Sequence, residues 1–370
     1  MADLYAGLMS GTSLDGVDGL LVDFAGAAPR VLAHVDAPLP PPLRAELLAL
    51  NSPGPNELHR AALAANGLML VYAAVVAALL DRTGLAAASV RAVGAHGQTV
   101  RHRPQAFDGP GYTLQLCNPA LLAELTGIEV VADFRSRDVA AGGQGAPLAP
   151  FFHQAVFGSA GETVGVLNLG GIANLTLLRS DGSLLGFDCG PANALMDGWC
   201  DRHQGREFDR DGAWAAAGRP LPALLQLLRD EPFFRQTPPK STGRDLFNLA
   251  WLDAHLQALA ATVRPADVQA TLAELTAGTC ADQVRALAPG MGRLLVCGGG
   301  ALNSHLMARL QALLPAIPVT STDAAGLPPQ QVEAAAFAWL ARKAVRREKL
   351  ELESITGAVG ARVLGGIYPA

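Results

Sequence analysis

The chain has 370 residues, half of them hydrophobic and 16% charged, with a formal charge of -5. That length exceeds one ordinary core and suits two domains, and an acidic balance with no basic tract argues against a nucleic-acid partner. No cationic stretch followed by an apolar core opens the chain, so a cytoplasmic protein is expected, and five cysteines without a C-x-x-C pair suggest core residues rather than disulfides or zinc ligands.

Two short apolar runs, residues 3–10 and 17–24, flank a turn-rich segment and read as a β-hairpin, to which residues 30–39 can add a third strand. Helices are expected over 41–50 and 56–84, then strands over 90–95, 112–116 and 128–132. Within the second helix, residues 61–80 contain only Asn66 as a clearly polar side chain, which is enough to span a bilayer. The run is rich in alanine and flanked by Arg60, Asp81 and Arg82, so a buried helix and no membrane contact are expected.

Residues 133–147 break every periodicity and set glycine beside charge, as a functional loop or domain crossing does. One domain is therefore expected over 1–135 with 335–370, and another over 136–334. The second opens on strands 164–169, 173–178 and 184–188, an inexact repeat of the first hairpin that implies two similar lobes. Helices over 192–203, 221–228 and 267–288 follow, then a strand over 293–297, a triple glycine, a helix from 304, another over 331–347 and a closing strand over 363–368. Strand and helix alternate, so the class is α/β.

Phosphate can be held without lysine by backbone N–H groups turned inward at glycine-rich turns. Gly11, Thr12, Ser13, Leu14, Asp15, Gly16, Val17 and Asp18 form such a run, with two hydroxyls, and with carboxylates able to hold a Mg²⁺ through its waters. A plain hairpin turn is the alternative. Asn168, Gly170 and Gly171 make a second candidate turn, and Gly298, Gly299, Gly300 and Asn303 a third, between a strand and a helix. There is no G-x-x-x-x-G-K-[ST] run and no H-R-D or D-F-G set, which removes the P-loop and protein-kinase readings. Asp188 ends a strand just before a helix, and on spacing alone it is either a reactive carboxylate or a cap for that helix.

Residues 7–18, His96-Gly-Gln-Thr99, 133–147, 168–174, Gly186-Phe-Asp-Cys-Gly-Pro191, Pro239-Lys-Ser-Thr-Gly243, Asp267-Val-Gln-Ala-Thr271 and 297–303 together resemble the 1,6-anhydro-N-acetylmuramic acid kinase family across essentially the whole chain. The resemblance implies a two-lobed actin-like ATPase with ribonuclease H-like sheets in both lobes and a central cleft for ATP and substrate. It also implies a cytoplasmic homodimer using ATP and Mg²⁺ in peptidoglycan recycling. The implied reaction turns 1,6-anhydro-N-acetylmuramic acid into N-acetylmuramic acid 6-phosphate and ADP. By the same resemblance Asp188 is the catalytic base, the three glycine turns bind ATP, Asp15 holds Mg²⁺ through water, and His96, Gln98, Arg135 and Glu333 bind sugar. The chain departs from the family pattern at Cys189 and Ala192, where threonine and glycine are expected, and at Gln330 and Gln331, where acids are expected. The rival reading is a non-metabolic actin-like or chaperone-like ATPase of the same fold, against which there is no separate peptide-binding domain.

Overall fold

The structure, a computed structural model, describes residues 2–370 apart from 12, 13, 15, 108, 239, 245, 260 and 261. Its strands are β1 (Leu4–Met9), β2 (Gly16–Asp23), β3 (Arg30–Pro38), β4 (Ala92–Ala95), β5 (Gln98–Pro104), β6 (Gly111–Leu116), β7 (Val130–Ala132), β8 (Val164–Leu169), β9 (Ile172–Leu178), β10 (Leu184–Pro191), β11 (Arg293–Cys297), β12 (Val319–Ser321) and β13 (Gly366–Tyr368). The chain divides into two compact units, Met1–Phe152 with Gln331–Ala370, and His153–Gln330. The loop 133–147, expected at the crossing, therefore sits inside the first unit, as do residues 331–334. A buried carboxylate anchors that loop: Asp138 accepts from Gly145 N at 2.6 Å and from Thr356 Oγ1 at 2.5 Å, tying it to the C-terminal segment.

In the first unit the sheet order is β13-β7-β4-β1-β2-β3, and in the second it is β10-β9-β8-β11-β12. The strands β1-β2-β3 and β8-β9-β10 are antiparallel meanders, and on the other side of β1 and β8 the parallel strands β4 and β7, or β11 and β12, continue each sheet, with β13 added antiparallel to β7 at the edge of the first. The same plan appears twice, the ribonuclease H type expected for the actin-like fold. Central strands of this kind are covered on both faces, so they read as unbroken apolar runs rather than alternating ones. β8, Val-Gly-Val-Leu-Asn-Leu, is buried at every position.

Two helices cover the first sheet from opposite faces. Glu57–Thr83 buries Ala64, Ala65, Leu68, Met69, Tyr72, Val75, Val76 and Leu79, one stripe at helical spacing. Among the described residues it is also the one helix long and apolar enough to cross a membrane. On the other face lies the alanine-rich helix Val332–Val345, close enough that a β-carbon at Gly7 would fall 2.0 Å from Ala334 O and one at Gly94 2.1 Å from Phe337 O. Gly7 is thus a packing glycine, although it opens the candidate phosphate hairpin.

The second core is built around the buried helix Pro265–Leu287. Its Asp267 side chain accepts from Arg219 N at 2.8 Å and its Thr271 Oγ1 accepts from Leu221 N at 2.8 Å. Those two motif residues therefore fasten the 219–221 segment. Cys189, Cys200, Cys280 and Cys297 are buried, Cys117 is half-buried, and all five are free thiols.

Because backbone cannot retreat from an added methyl, Gly94→Ala is expected to destabilise the protein by about 1–3 kcal/mol. Urea unfolding measures this, and an unchanged midpoint would contradict the close helix-on-sheet approach.

Candidate active site

The β1–β2 turn is only partly described: Thr12, Ser13 and Asp15, the candidates for hydroxyl and metal contacts, lie outside the described residues. Leu14 takes a left-handed φ of 58° and its side chain is buried in the first core, as is that of Val17. Both can offer a ligand only backbone. Gly16 answers a packing need, since a β-carbon there would lie 2.7 Å from Ala37 O across the β2–β3 pair. The Asp18 carboxylate is about half exposed, with Oδ1 3.3 Å from His34 Nε2. From the neighbouring segment, Gln98 Nε2 donates to Gly11 O at 3.1 Å and Ser10 Oγ to Gly97 O at 3.0 Å, which fix the start of the turn.

His96, Arg135 and Glu333 form one electrostatic group in the first unit. Arg135 donates to His96 Nε2 through Nη2 at 2.9 Å and Nε at 3.3 Å, and through Nη1 to Gly145 O at 2.9 Å. A guanidinium only donates, so Nε2 carries the lone pair and the ring proton is on Nδ1. Burial, reinforced by the Arg135 charge, drives the His96 pKa down to about 3, which keeps the imidazole neutral. Burial likewise lowers Arg135 to about 10, against the opposing pull of Glu333 and Asp138. Gln98 Oε1, an acceptor, is buried with no partner among the described residues, and the buried donor His96 Nδ1 has the Ser10 and Gly97 backbone near it but no well-formed hydrogen bond. Such atoms are where a polar ligand gains most.

In the second unit, Asn193 N donates to Gly170 O, Ala192 N and Ala194 N donate to Gly171 O, and Asn193 Nδ2 donates to Leu169 O at 2.9 Å. These bonds occupy the turn's carbonyls and leave the Gly170 and Gly171 N–H groups without a backbone acceptor among the described residues. Gly298, at φ 78°, could carry no side chain, because a β-carbon would lie 2.4 Å from Asn168 Oδ1. Gly300 approaches Leu169 in the same way, at 2.5 Å, and Gly299 is open by comparison. Asn303, expected at the nucleotide, has its Oδ1 engaged as the N-cap of helix Ser304–Leu313, accepting from Leu306 N at 3.0 Å.

Asp188 does not cap the helix Asn193–Gln204; the residue at that position is Ala192. A β-bulge follows Asp188 on β10, the edge strand, with Gly190 at φ 143° packed against the Phe234 ring. The edge is covered by the segment after Phe234: Asp188 N donates to Lys240 O at 3.0 Å, and Thr242 N returns a bond to Asp188 Oδ2 at 2.9 Å. Burial pushes the Asp188 pKa up to about 7, although the Thr242 amide and the Lys240 charge both pull it down. A carboxyl poised there exchanges protons readily near neutral pH.

The sequence reading gave no role to Arg244, two residues beyond Thr242. A β-carbon on Gly171 would lie 3.7 Å from its Nη2 and 3.8 Å from its Nε, and its guanidinium has no hydrogen-bond or ion-pair partner among the described residues. The signal available was its place at the end of the Lys240-Ser-Thr-Gly-Arg244 run. The described residues contain no group of three His, Cys, Asp or Glu side chains able to hold a metal by themselves. A Mg²⁺ here would suit the usual case in which phosphate oxygens and water supply most of its ligands.

The sequence profile of the family described as anhydro-N-acetylmuramic acid kinase matches residues 3–370. The chain is 63% identical to the anhydro-N-acetylmuramic acid kinase of Albidiferax ferrireducens, with the whole of both chains covered. It is 62% identical to the protein of that name from Variovorax paradoxus, covering all of this chain and 99% of the relative. The match to the Ralstonia nicotianae protein of that name is 56%, over all of this chain and 98% of the relative.

Proposed function

The chain belongs to the anhydro-N-acetylmuramic acid kinase family, and from that premise we propose how its residues carry the reaction. The enzyme is an ATP-dependent carbohydrate kinase: it opens the 1,6-anhydro ring of 1,6-anhydro-N-acetylmuramic acid with water and phosphorylates O6, giving N-acetylmuramic acid 6-phosphate and ADP. Relatives above 60% identity carry the kinase name, which leaves the non-metabolic ATPase reading without support.

The observation that carries the assignment of roles is the Asp188 carboxylate, held at the bulge by Thr242 N–H with a pKa near 7. Water attacks C1 while the C1–O6 bond breaks, and Asp188 takes the proton that the water loses. O6 then forms its bond to the γ-phosphorus as the bond to the β-phosphate oxygen breaks, so the bridge oxygen becomes the phosphate ester. Phosphoryl transfer needs little covalent help; it needs in-line positioning and donors for the charge. The free N–H groups of Gly170 and Gly171, the bare backbone at Gly298, Gly299 and Gly300, and the backbone of the first turn are suited to the phosphates. Arg244, lying against the Gly171 turn, supplies the bidentate cation that the turns themselves lack.

Asp15 and Asp18 would hold a Mg²⁺ through its waters, and the bound ion would neutralise phosphate charge. For the sugar, His96 offers the Nδ1 donor and Gln98 the Oε1 acceptor. Arg135 already donates to His96 and Gly145, so its part is to fix the imidazole, with Glu333 balancing its charge. Asn303 is assigned to shaping the third turn as a helix cap. A cytoplasmic homodimer acting in peptidoglycan recycling completes the proposal on the strength of family membership.

Asp188→Asn is expected to lower kcat by roughly 10² to 10⁴ with the KM for ATP nearly unchanged. Only the carboxylate form can accept the proton, so wild-type kcat/KM should fall about tenfold per unit as pH drops below about 7, the midpoint for Asp188. Unimpaired turnover in the variant, or a rate flat through that range, removes Asp188 from the role. Arg244→Ala should slow turnover while leaving the affinity for the anhydro sugar unchanged; equal activity with and without the guanidinium takes Arg244 off the phosphates.

A further inference from the structure

The mechanism gives no part to the aromatic side chains beside Asp188. After the turn Pro232–Arg235 the chain bonds to β10 through Lys240 and Thr242, and it returns to the core at Phe247. The two ends of that excursion are fastened to each other. Phe234 stacks on Phe247 with ring centres 5.5 Å apart and 29° between the planes, and Phe233 meets the same ring edge-on at 5.7 Å. Glu231 adds a polar tie, accepting from Phe233 N through Oε1 at 3.3 Å and from Trp251 Nε1 through Oε2 at 3.2 Å. Phe247 is fully buried, so the joint belongs to the second core and not to the surface.

Between those ends lie Thr242, which donates to Asp188, and Arg244, which stands against the Gly171 turn. The contacts form a closed circuit with β10. Asp188 N donates to Lys240 O at 3.0 Å, and the buried Lys240 Nζ donates to Phe233 O at 3.3 Å, 4.6 Å from the Phe233 ring centre. Phe234, the next residue, comes back to β10, where a β-carbon on Gly190 would lie 2.6 Å from its Cε1. Only a residue without a β-carbon, here at φ 143°, lets a ring sit so close to the bulge two residues after Asp188. Phe234 is thus the side chain common to both joints, touching the bulge and the far end of the excursion.

We propose that Phe234 is a positioning residue: its ring clasps the segment carrying Thr242 and Arg244 to the β10 bulge, and so sets where the Thr242 N–H meets the Asp188 carboxylate. The inference rests on the reading of Asp188 as the base. Leucine at this position fills much of the same volume but offers no flat face to Gly190 and Phe247, so the core should survive while the segment is held less closely. A looser Thr242 bond withdraws a donor from the carboxylate and raises its proton affinity. Lys240 and Cys189, the charged and titratable neighbours of Asp188, are both retained in that variant.

Hydrogen exchange of the Thr242 amide, followed by NMR on the ligand-free, full-length protein, tests this beside the pH profile of kcat/KM. In the wild type the Thr242 N–H should exchange as slowly as the paired amides of β9, because the clasped segment opens only with the sheet. Exchange at the rate of an open loop overturns the proposal without any variant. In Phe234→Leu, Thr242 exchange should rise about tenfold or more while the β8 amides keep their rates, and the acid limb of kcat/KM should move to higher pH. Unchanged Thr242 exchange, or a rise shared equally by β8, overturns the proposal whatever happens to the rate. Faster Thr242 exchange with an unmoved rate profile supports the clasp and sinks the base assignment instead. Should the variant fail to fold, the wild-type exchange rate decides.

Discussion

The 2.9 Å hydrogen bond from Thr242 N to the Asp188 carboxylate is the contact on which the proposed chemistry depends. It holds a carboxyl at the edge of the second sheet, where a bulge ends regular pairing and a returning segment shields the strand from water. Two opposed effects meet there. Burial raises the proton affinity of Asp188, while the amide dipole and the Lys240 charge lower it. Their balance leaves its pKa near 7, a value that suits the proton transfer proposed for it.

In the same unit, the turns proposed to meet phosphate place glycines where backbone must come close to its neighbours. Gly298 and Gly300 let the third turn pack on Leu169 at the end of β8, and the Gly170–Gly171 carbonyls are spent on the start of the next helix, which turns the opposite side of that peptide run to a ligand. The repeated sheet plan explains why a hairpin turn recurs after β1 and after β8. In the first unit the same plan uses Gly7, Gly16 and Gly94 for helix-on-sheet and strand packing. Close packing thus accounts for these glycines in both units, and ligand access is the added proposal at the second and third turns.

The antiparallel hairpins and the parallel strand β11 were legible because they are apolar runs bounded by glycine turns, the signal a doubly covered sheet leaves in sequence. β5 was not, since Gln98–Pro104 carries Arg101, His102 and Arg103 on a small half-buried hairpin. Residues 133–147 looked like a domain crossing; what anchors them is Asp138 bonded to Thr356, a partner far along the chain. The same distance hid the reason for Gly7, set by Ala334. Asn303 was readable differently: an asparagine directly before a helix is a cap signal, and it is a cap here. The family resemblance ordered the motifs correctly but could not divide them into residues that meet ligand and residues that build the turn. Asp267 and Thr271, for example, spend their side chains on the backbone of Arg219 and Leu221.

The central claim is that a water activated by Asp188 opens the anhydro bridge at C1 while the old bridge oxygen receives the phosphoryl group. Mass spectrometry of the product formed from ATP, Mg²⁺ and the anhydro sugar in ¹⁸O-water tests it most directly. The account predicts one ¹⁸O, located on the C1 hydroxyl, with the phosphate unlabelled. Label in the phosphate, or none in the sugar, would contradict it.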